Sequence, residues 1–258
     1  MSPVQALLFF VLALPMASKL QRLFVKCPLR HGAEVDLAAE QAHYLLNVLR
    51  LKSNDSILVF NGEDGEWMAT LEVTGKRRAR LHLVEQTRAQ MRGPDLHYLF
   101  APLKRARLDY MAQKATEMGA SVLRPVLTER TVTERVRIDR LEANAIEAAE
   151  QCGILCVPEV RQPQELIELL DAWDEDRLLI FADEGAAQAS ALTDLAELEP
   201  GPLAVLIGPE GGFAPGERAA LLAKPFVRPI SLGPRVMRAD TAAVAALALV
   251  NAVLGDWR

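Results

Sequence analysis

Two glycine-rich stretches carry the residue types best suited to gripping a small ligand. The first is GPEGGF at 208–213, directly after the apolar run LAVLI at 203–207 and ahead of a helix signal with Pro215 near its first turn. Paired glycines let the backbone approach a ligand closely and expose amide donors. The stretch lacks the Lys-Ser/Thr of a phosphate loop and the GxGxxG of a dinucleotide fold, so neither nucleotide reading is supported. Taken alone, GPEGG fits a plain turn as well as a ligand loop. The second stretch follows VRPISL at 227–232, where Gly233, Pro234, Arg235, Val236, Met237, Arg238 and Ala239 run into Asp240 and Thr241. Either of the last two can cap the helix that starts there. Loops after consecutive strands fall at one carboxyl edge of a parallel sheet, where ligands usually bind. Arg238 is thereby aimed at the same crevice, although an arginine before a helix is also compatible with a plain surface charge.

Positioning those loops requires alternating strands and helices, and the second part of the chain has that rhythm. After Pro94 come LHYLFA at 96–101, a helix over 105–118, a strand over 121–127, a helix over 137–151 and a short strand at 157–160. Pro163 opens a further helix in QELIELL, followed by RLLIFA at 177–182, the buried run LAVLI and a closing apolar helix over 239–254. The earlier part reads differently. SILVFN at 56–61 and EWMATLEV at 66–73 are β-rich runs around GEDG, which predicts a hairpin, and ARLHLV at 79–84 follows. Ahead of them AAEQAHYLLNVLR at 38–50 puts Ala42, Leu45, Leu46 and Leu49 on one helical face. QMRGP at 90–94 is the natural linker, giving segments of 20–91 and 92–258.

Composition constrains the setting. The 258 residues are half apolar and a quarter charged, as in an ordinary globular protein. Three cysteines are too few for a disulfide framework and fit a reducing cytoplasm. Cys152 and Cys156 are one helical turn apart with no partner pair to complete a metal site, so no metal is expected. The net charge of −5 is unevenly spread: 92–140 holds 10 basic and 6 acidic residues, 141–258 holds 8 and 19. A nucleic-acid footprint needs only a local basic face, because screening limits repulsion to roughly 10 Å. The apolar run at 4–17 is shorter than the roughly 20 residues that span a bilayer, so no membrane association is expected. No Lys or Arg precedes it, as a signal peptide would require. Met16 is a plausible alternative start, and residues 1–19 are treated as a non-structural leader.

The sequence resembles the RsmE family, ribosomal small-subunit methyltransferases that act on N3 of a uridine in 16S rRNA. The segments carrying the resemblance occur in order along nearly everything after Leu20: RLFV at Arg22, HYLLNVLR at His43, LKRARLDYMAQKATEMGAS at Leu103, LTER at Leu127, EAAEQCG at Glu147, VPEV at Val157, IGPEGGF at Ile207 and LGPRVMRADTA at Leu232. The chain departs from the usual pattern at Asp240, where glutamate is common, and in FADEGA at Phe181, where a histidine is usual. The resemblance implies an α/β SPOUT-type domain with a trefoil knot and an N-terminal PUA-like β-barrel that binds RNA. It also implies S-adenosylmethionine as cofactor, 16S rRNA of the small subunit as partner, and a homodimer. Arg238 is the implied catalytic residue. Leu206, Gly208, Glu210, Gly211, Gly212, Ile230, Leu232, Gly233 and Met237 are expected around the cofactor, with a side chain at Gly211 expected to crowd it. Arg22, Arg50, Lys52, Lys104, Arg105, Lys114 and Arg130 are expected to meet RNA phosphates, although Lys114 and Glu117 are close enough to pair with each other. The alternatives are a non-catalytic RNA-binding assembly factor and a SPOUT enzyme that acts on another RNA.

Overall fold

Alternating burial along SILVF and EWMATLEVTG turns the first part of the chain into a sheet. The structure is a computed structural model that describes residues 20–132, 135–186 and 190–257, and the leader expected at 1–19 lies outside the described residues. The chain divides into two units, up to Gln90 and from Met91 onward.

The first unit is a five-stranded sheet of β1 (Arg22–Phe24), β2 (Glu34–Asp36), β3 (Ser56–Phe60), β4 (Glu66–Gly75) and β5 (Arg78–Arg88), in the order β1-β3-β4-β5-β2. β1 runs parallel to β3 and the other pairings are antiparallel. The expected hairpin joins β3 to β4, with Phe60 opposite Glu66. Gly65 closes it at φ +78, where a Cβ would collide with the Arg88 carbonyl. The helix expected over 38–50 is α1 (Ala39–His43) followed by a π-helical turn, Tyr44–Val48. The wider turn carries the Leu49 N–H to the Tyr44 carbonyl and buries Leu45 completely, while Val48 stays exposed. Arg50 then ends the segment at φ 59, a left-handed position more often held by glycine.

Arg22 corrects an expectation. Only 5% of it is exposed, its Nε donates to Glu66 Oε2 at 2.7 Å, and its guanidinium lies 4.3 Å from the Phe60 ring centre. A phosphate cannot reach it, so its place in the family segment RLFV reflects structure. Arg88 holds the same carboxylate from the other side, and the two arginines keep Glu66 below the usual carboxylate range against the opposing effect of burial. Stripping these guanidinia of their shared anion by Glu66→Ala is expected to cost roughly 3–5 kcal/mol, read as a lower urea midpoint.

The second unit is built on parallel strands: β6 (Leu96–Phe100), β7 (Val122–Leu127), β8 (Glu159–Val160), β9 (Gln164–Glu165), β10 (Leu178–Ala182), β11 (Leu203–Ile207) and β12 (Val227–Ile230). Their order is β12-β10-β11-β6-β7-β8, with β9 also on β7. The helices are α2 (Arg105–Glu117), α3 (Ile138–Cys152), α4 (Leu166–Asp171), α5 (Ala191–Ala196), α6 (Pro215–Leu222) and α7 (Ala239–Val253). β11 is buried along its whole length because both sheet faces are covered. On one face Tyr98, Val205 and Ile207 pack with Met111, Ala246 and Leu247; on the other Leu99, Phe181 and Leu206 pack with Leu169 and Leu221. No helix among the described residues is long and apolar enough to cross a membrane.

Three local expectations change. QELIELL opens as the two-residue β9 before α4 begins. Cys152 and Cys156 do not share a helical turn, because α3 ends at Cys152 and Gly153 follows in the left-handed region; the Cys156 thiol instead donates to the Met91 carbonyl. Neither Asp240 nor Thr241 caps α7: Arg238 occupies the cap position, and Asp240 accepts the Thr241 N–H from within the first turn.

His97 on β6 gives the second unit a pH dependence. Burial, aided by the neighbouring Arg177, pushes its pKa down from 6.5 to about 4. Because the unfolded chain takes up this proton near pH 6.5 and the folded chain only near 4, acid favours unfolding across that window. Replacing His97 with glutamine is expected to flatten the loss of thermal stability between pH 6.5 and 4.

Candidate functional site

Strands β10, β11 and β12 all end at one rim, and the loops leaving them enclose a cleft of about 300 Å³. Its walls are the segments 182–185, 207–213 and 231–237, with Arg130, Arg218, Ala239 and Ala242 completing them. The two glycine loops therefore face each other across the end of β10, which lies between their parent strands. A cleft of this size falls in the range of small-molecule sites.

Each wall is held for a physical reason. Gly208 must lack a side chain, since a Cβ there would stand 2.6 Å from the Phe213 ring, and that ring is fixed edge-on against Phe181 with centroids 5.2 Å apart. Gly212 has φ +69 and Gly233 has φ +102. Gly211 is less confined by the protein: a Cβ would make only ordinary contact with Arg130 at 3.7 Å, so the tight fit to the framework is at Gly208. The buried carboxylate of Glu217 accepts the N–H of Ala214 at 2.9 Å and of Glu129 at 2.8 Å, tying the start of α6 to the loop after β7. Arg130 on that loop donates to the Gly211 carbonyl at 2.8 Å. On the β10 side, Asp183 is buried and held by Arg218 at 2.8 Å.

Of the expected cofactor residues, Gly208, Glu210, Gly211, Gly212, Leu232, Gly233 and Met237 line the cleft. Leu206 and Ile230 stand one position behind it: Ile207 and Ser231 form the wall, while Leu206 and Ile230 pack into the cores on either sheet face. Glu210 is exposed and forms an ion pair with Arg107 of α2, which also approaches Asp240 at 3.9 Å. Arg238 is exposed, flanked by the lining residues Met237 and Ala239, and its side chain hydrogen-bonds to none of the described residues.

The basic residues separate into three groups. Arg50, Lys52 and Lys104 are exposed, and Arg105 opens α2. Lys114 spends its charge on Glu117, at 2.7 Å, which decides between its two sequence readings. Arg130 serves the cleft. Sequence reasoning missed Asp183, Arg107, Arg218 and Glu217. Asp183 had a signal, a short acidic loop after an apolar strand; the pairing of Arg107 with Glu210, 103 residues away, had none.

A family model described as an RNA methyltransferase domain matches residues 91–251, and one described as an RNA methyltransferase PUA domain matches residues 37–84. The chain is 30% identical over 235 residues to the ribosomal RNA small subunit methyltransferase E of Rickettsia conorii, covering 90% of this chain and 96% of that protein. It is 32% identical over 227 residues to the protein of the same name from Synechocystis, covering 86% and 74%. Among solved structures it is similar to the ribosomal RNA small subunit methyltransferase E of Neisseria gonorrhoeae bound to S-adenosylmethionine, with TM-score 0.82, 27% identity and coverage of 93% and 100%. A putative methyltransferase of Legionella pneumophila, also solved with that cofactor, matches with TM-score 0.79, 27% identity and coverage of 90% and 97%.

Proposed function

This chain belongs to the ribosomal RNA small subunit methyltransferase E family, and on that premise we propose that it methylates N3 of a uridine in 16S rRNA with S-adenosylmethionine as methyl donor. The observation that carries the reading is the cleft at the ends of β10, β11 and β12, walled by glycine loops, in a chain similar to structures solved with that donor bound. When bound, the donor supplies an electrophilic methyl group on a sulfonium centre. The residues present fit it: Gly208 and Gly212 bring the backbone close, Leu232 and Met237 offer apolar surface to an adenine, and Glu184 puts a carboxylate beside a cationic ligand.

For N3 of uracil to become nucleophilic its proton must pass to bulk solvent as the base enters, and the resulting charge spreads onto O2 and O4. Arg238 is the catalytic residue of the proposal: its guanidinium, always protonated, lowers the energy of that charge. The loops contribute by fixing the reactants in line and excluding water. The target base leaves its stack to enter, while Arg50, Lys52, Lys104 and Arg105 hold the surrounding phosphates. The proposal extends to a SPOUT-type trefoil knot in residues 92–258, a PUA-like barrel in residues 20–91, a homodimer with the apolar α7 near its seam, and action in the cytoplasm on the small ribosomal subunit. Incubating the protein with labelled donor and either small subunits or free RNA, then mapping the modified base, tests the reading. Label at uridine N3 in 16S rRNA is the expected result; absence of label in both overturns it.

A further inference from the structure

The outer edge of β7 is interrupted. β8 pairs with Val122 and Leu123, and β9 pairs with Val126 and Leu127, so neither covers Arg124 and Pro125. Pro125 brings no N–H to this gap. A second cavity opens here, lined by Arg124, Glu159, Val160, Arg161, Gln162 and Gln164, and it shares no residue with the glycine-loop cleft.

The charges around this cavity do not cancel. Arg161 is paired with Glu159, both contacts at 3.1 Å. Arg177 is paired with Asp95 at 2.8 and 2.9 Å. His97 is neutral at pH 7. Arg124 is left over: it is half-buried, its Nε is shielded from solvent, and that Nε has no hydrogen-bond partner. A desolvated guanidinium N–H with nothing to bind is costly. Its surroundings register the cost, since burial and then Arg161 push Arg124 below the usual arginine range.

We infer that this edge cavity is an oxyanion site that takes a phosphate group, held by the Arg124 guanidinium with Arg161, Gln162 and Gln164 around it. The fork of Arg124 matches two oxygens of one anion. Two guanidinia and two side-chain amides offer more donors than the two oxygens of a carboxylate would use, and a phosphate has enough acceptors to engage them. The phosphate can come from an RNA backbone or from a free phosphate-bearing molecule.

The test follows arginine Nε–Hε and glutamine side-chain amide signals by NMR in the full-length chain, during titration with inorganic phosphate at constant ionic strength and with acetate as the control. Saturable shifts of Arg124 and Gln164 with phosphate but not acetate are expected. Arg124→Gln is expected to weaken binding at least tenfold and Arg161→Gln severalfold. Arg161 keeps 40% of its side chain exposed, so its variant carries the test should Arg124→Gln fail to fold. No saturable shift in the unaltered chain, equal shifts with acetate, or variants that bind as the unaltered chain does would overturn the assignment. A short RNA that displaces phosphate, and binds Arg124→Gln more weakly, identifies the backbone as the source; an RNA that does not displace it identifies a free ligand. Uptake of S-adenosylmethionine, measured in parallel, reports on the methyltransferase reading alone and is expected to be the same in both variants.

Discussion

Replacing Arg238 with alanine is expected to lower methyl transfer by roughly 10²–10³-fold while donor affinity stays within about twofold, the size of effect seen when one stabiliser of developing charge is removed. The argument is positional. Arg238 is exposed beside two residues that line the cleft and its side chain has no hydrogen bond to the described residues, so removing that side chain leaves the walls intact. Single-turnover transfer and calorimetric donor binding on the same preparation separate the two quantities. Arg238→Lys keeps the charge and is expected to recover part of the rate, but not all, because an ammonium lacks the planar fork. Normal turnover by the alanine variant would remove Arg238 from the mechanism.

Gly208→Val is expected to weaken donor binding by at least tenfold, with a loss of stability of roughly 1–3 kcal/mol from overpacking. The new Cβ would lie 2.6 Å from the Phe213 ring, and that ring is packed edge-on against Phe181. One of the two must move, and either movement disturbs the loop that forms the cleft wall. Gly211→Val is the matched control: its Cβ meets only the flexible Arg130 chain, so the framework should tolerate it, and any loss of donor affinity there would reflect contact with the donor itself. A Gly208→Val protein that binds the donor normally would show that the wall is more pliable than its packing implies.

The long regular elements were legible in the sequence because local pattern and tertiary burial agree in them. LAVLI is apolar at every position and lies in the middle of a parallel sheet; the hairpin at GEDG, α2, α3 and α7 fall within a residue or two of their expected bounds. What was not legible depends on partners distant in sequence. β1 and β2 have three residues each and exist only because β3 and β5 provide edges for them. The π-helical turn was hidden because YLLNV has the apolar spacing of an ordinary helix, and the wider ring becomes favourable only once Leu45 has a core to enter. Arg22 was misread for the same reason: a sequence shows its charge but not Glu66 and Phe60 closing around it. At the cleft, the glycine loops announced themselves by composition. The Glu217 and Arg130 bonds that brace them link residues about 80 or more positions apart.

The strand order sets when the cleft can exist during synthesis. β10 is made before both of the strands that flank it, and β12, the last strand in the chain, brings the wall opposite GPEGG. A nascent chain that has emerged only as far as α6 would have one glycine loop with nothing facing it. Premature termination between α6 and β12 should therefore yield a product whose larger sheet lacks only its last strand but which cannot enclose a methyl donor.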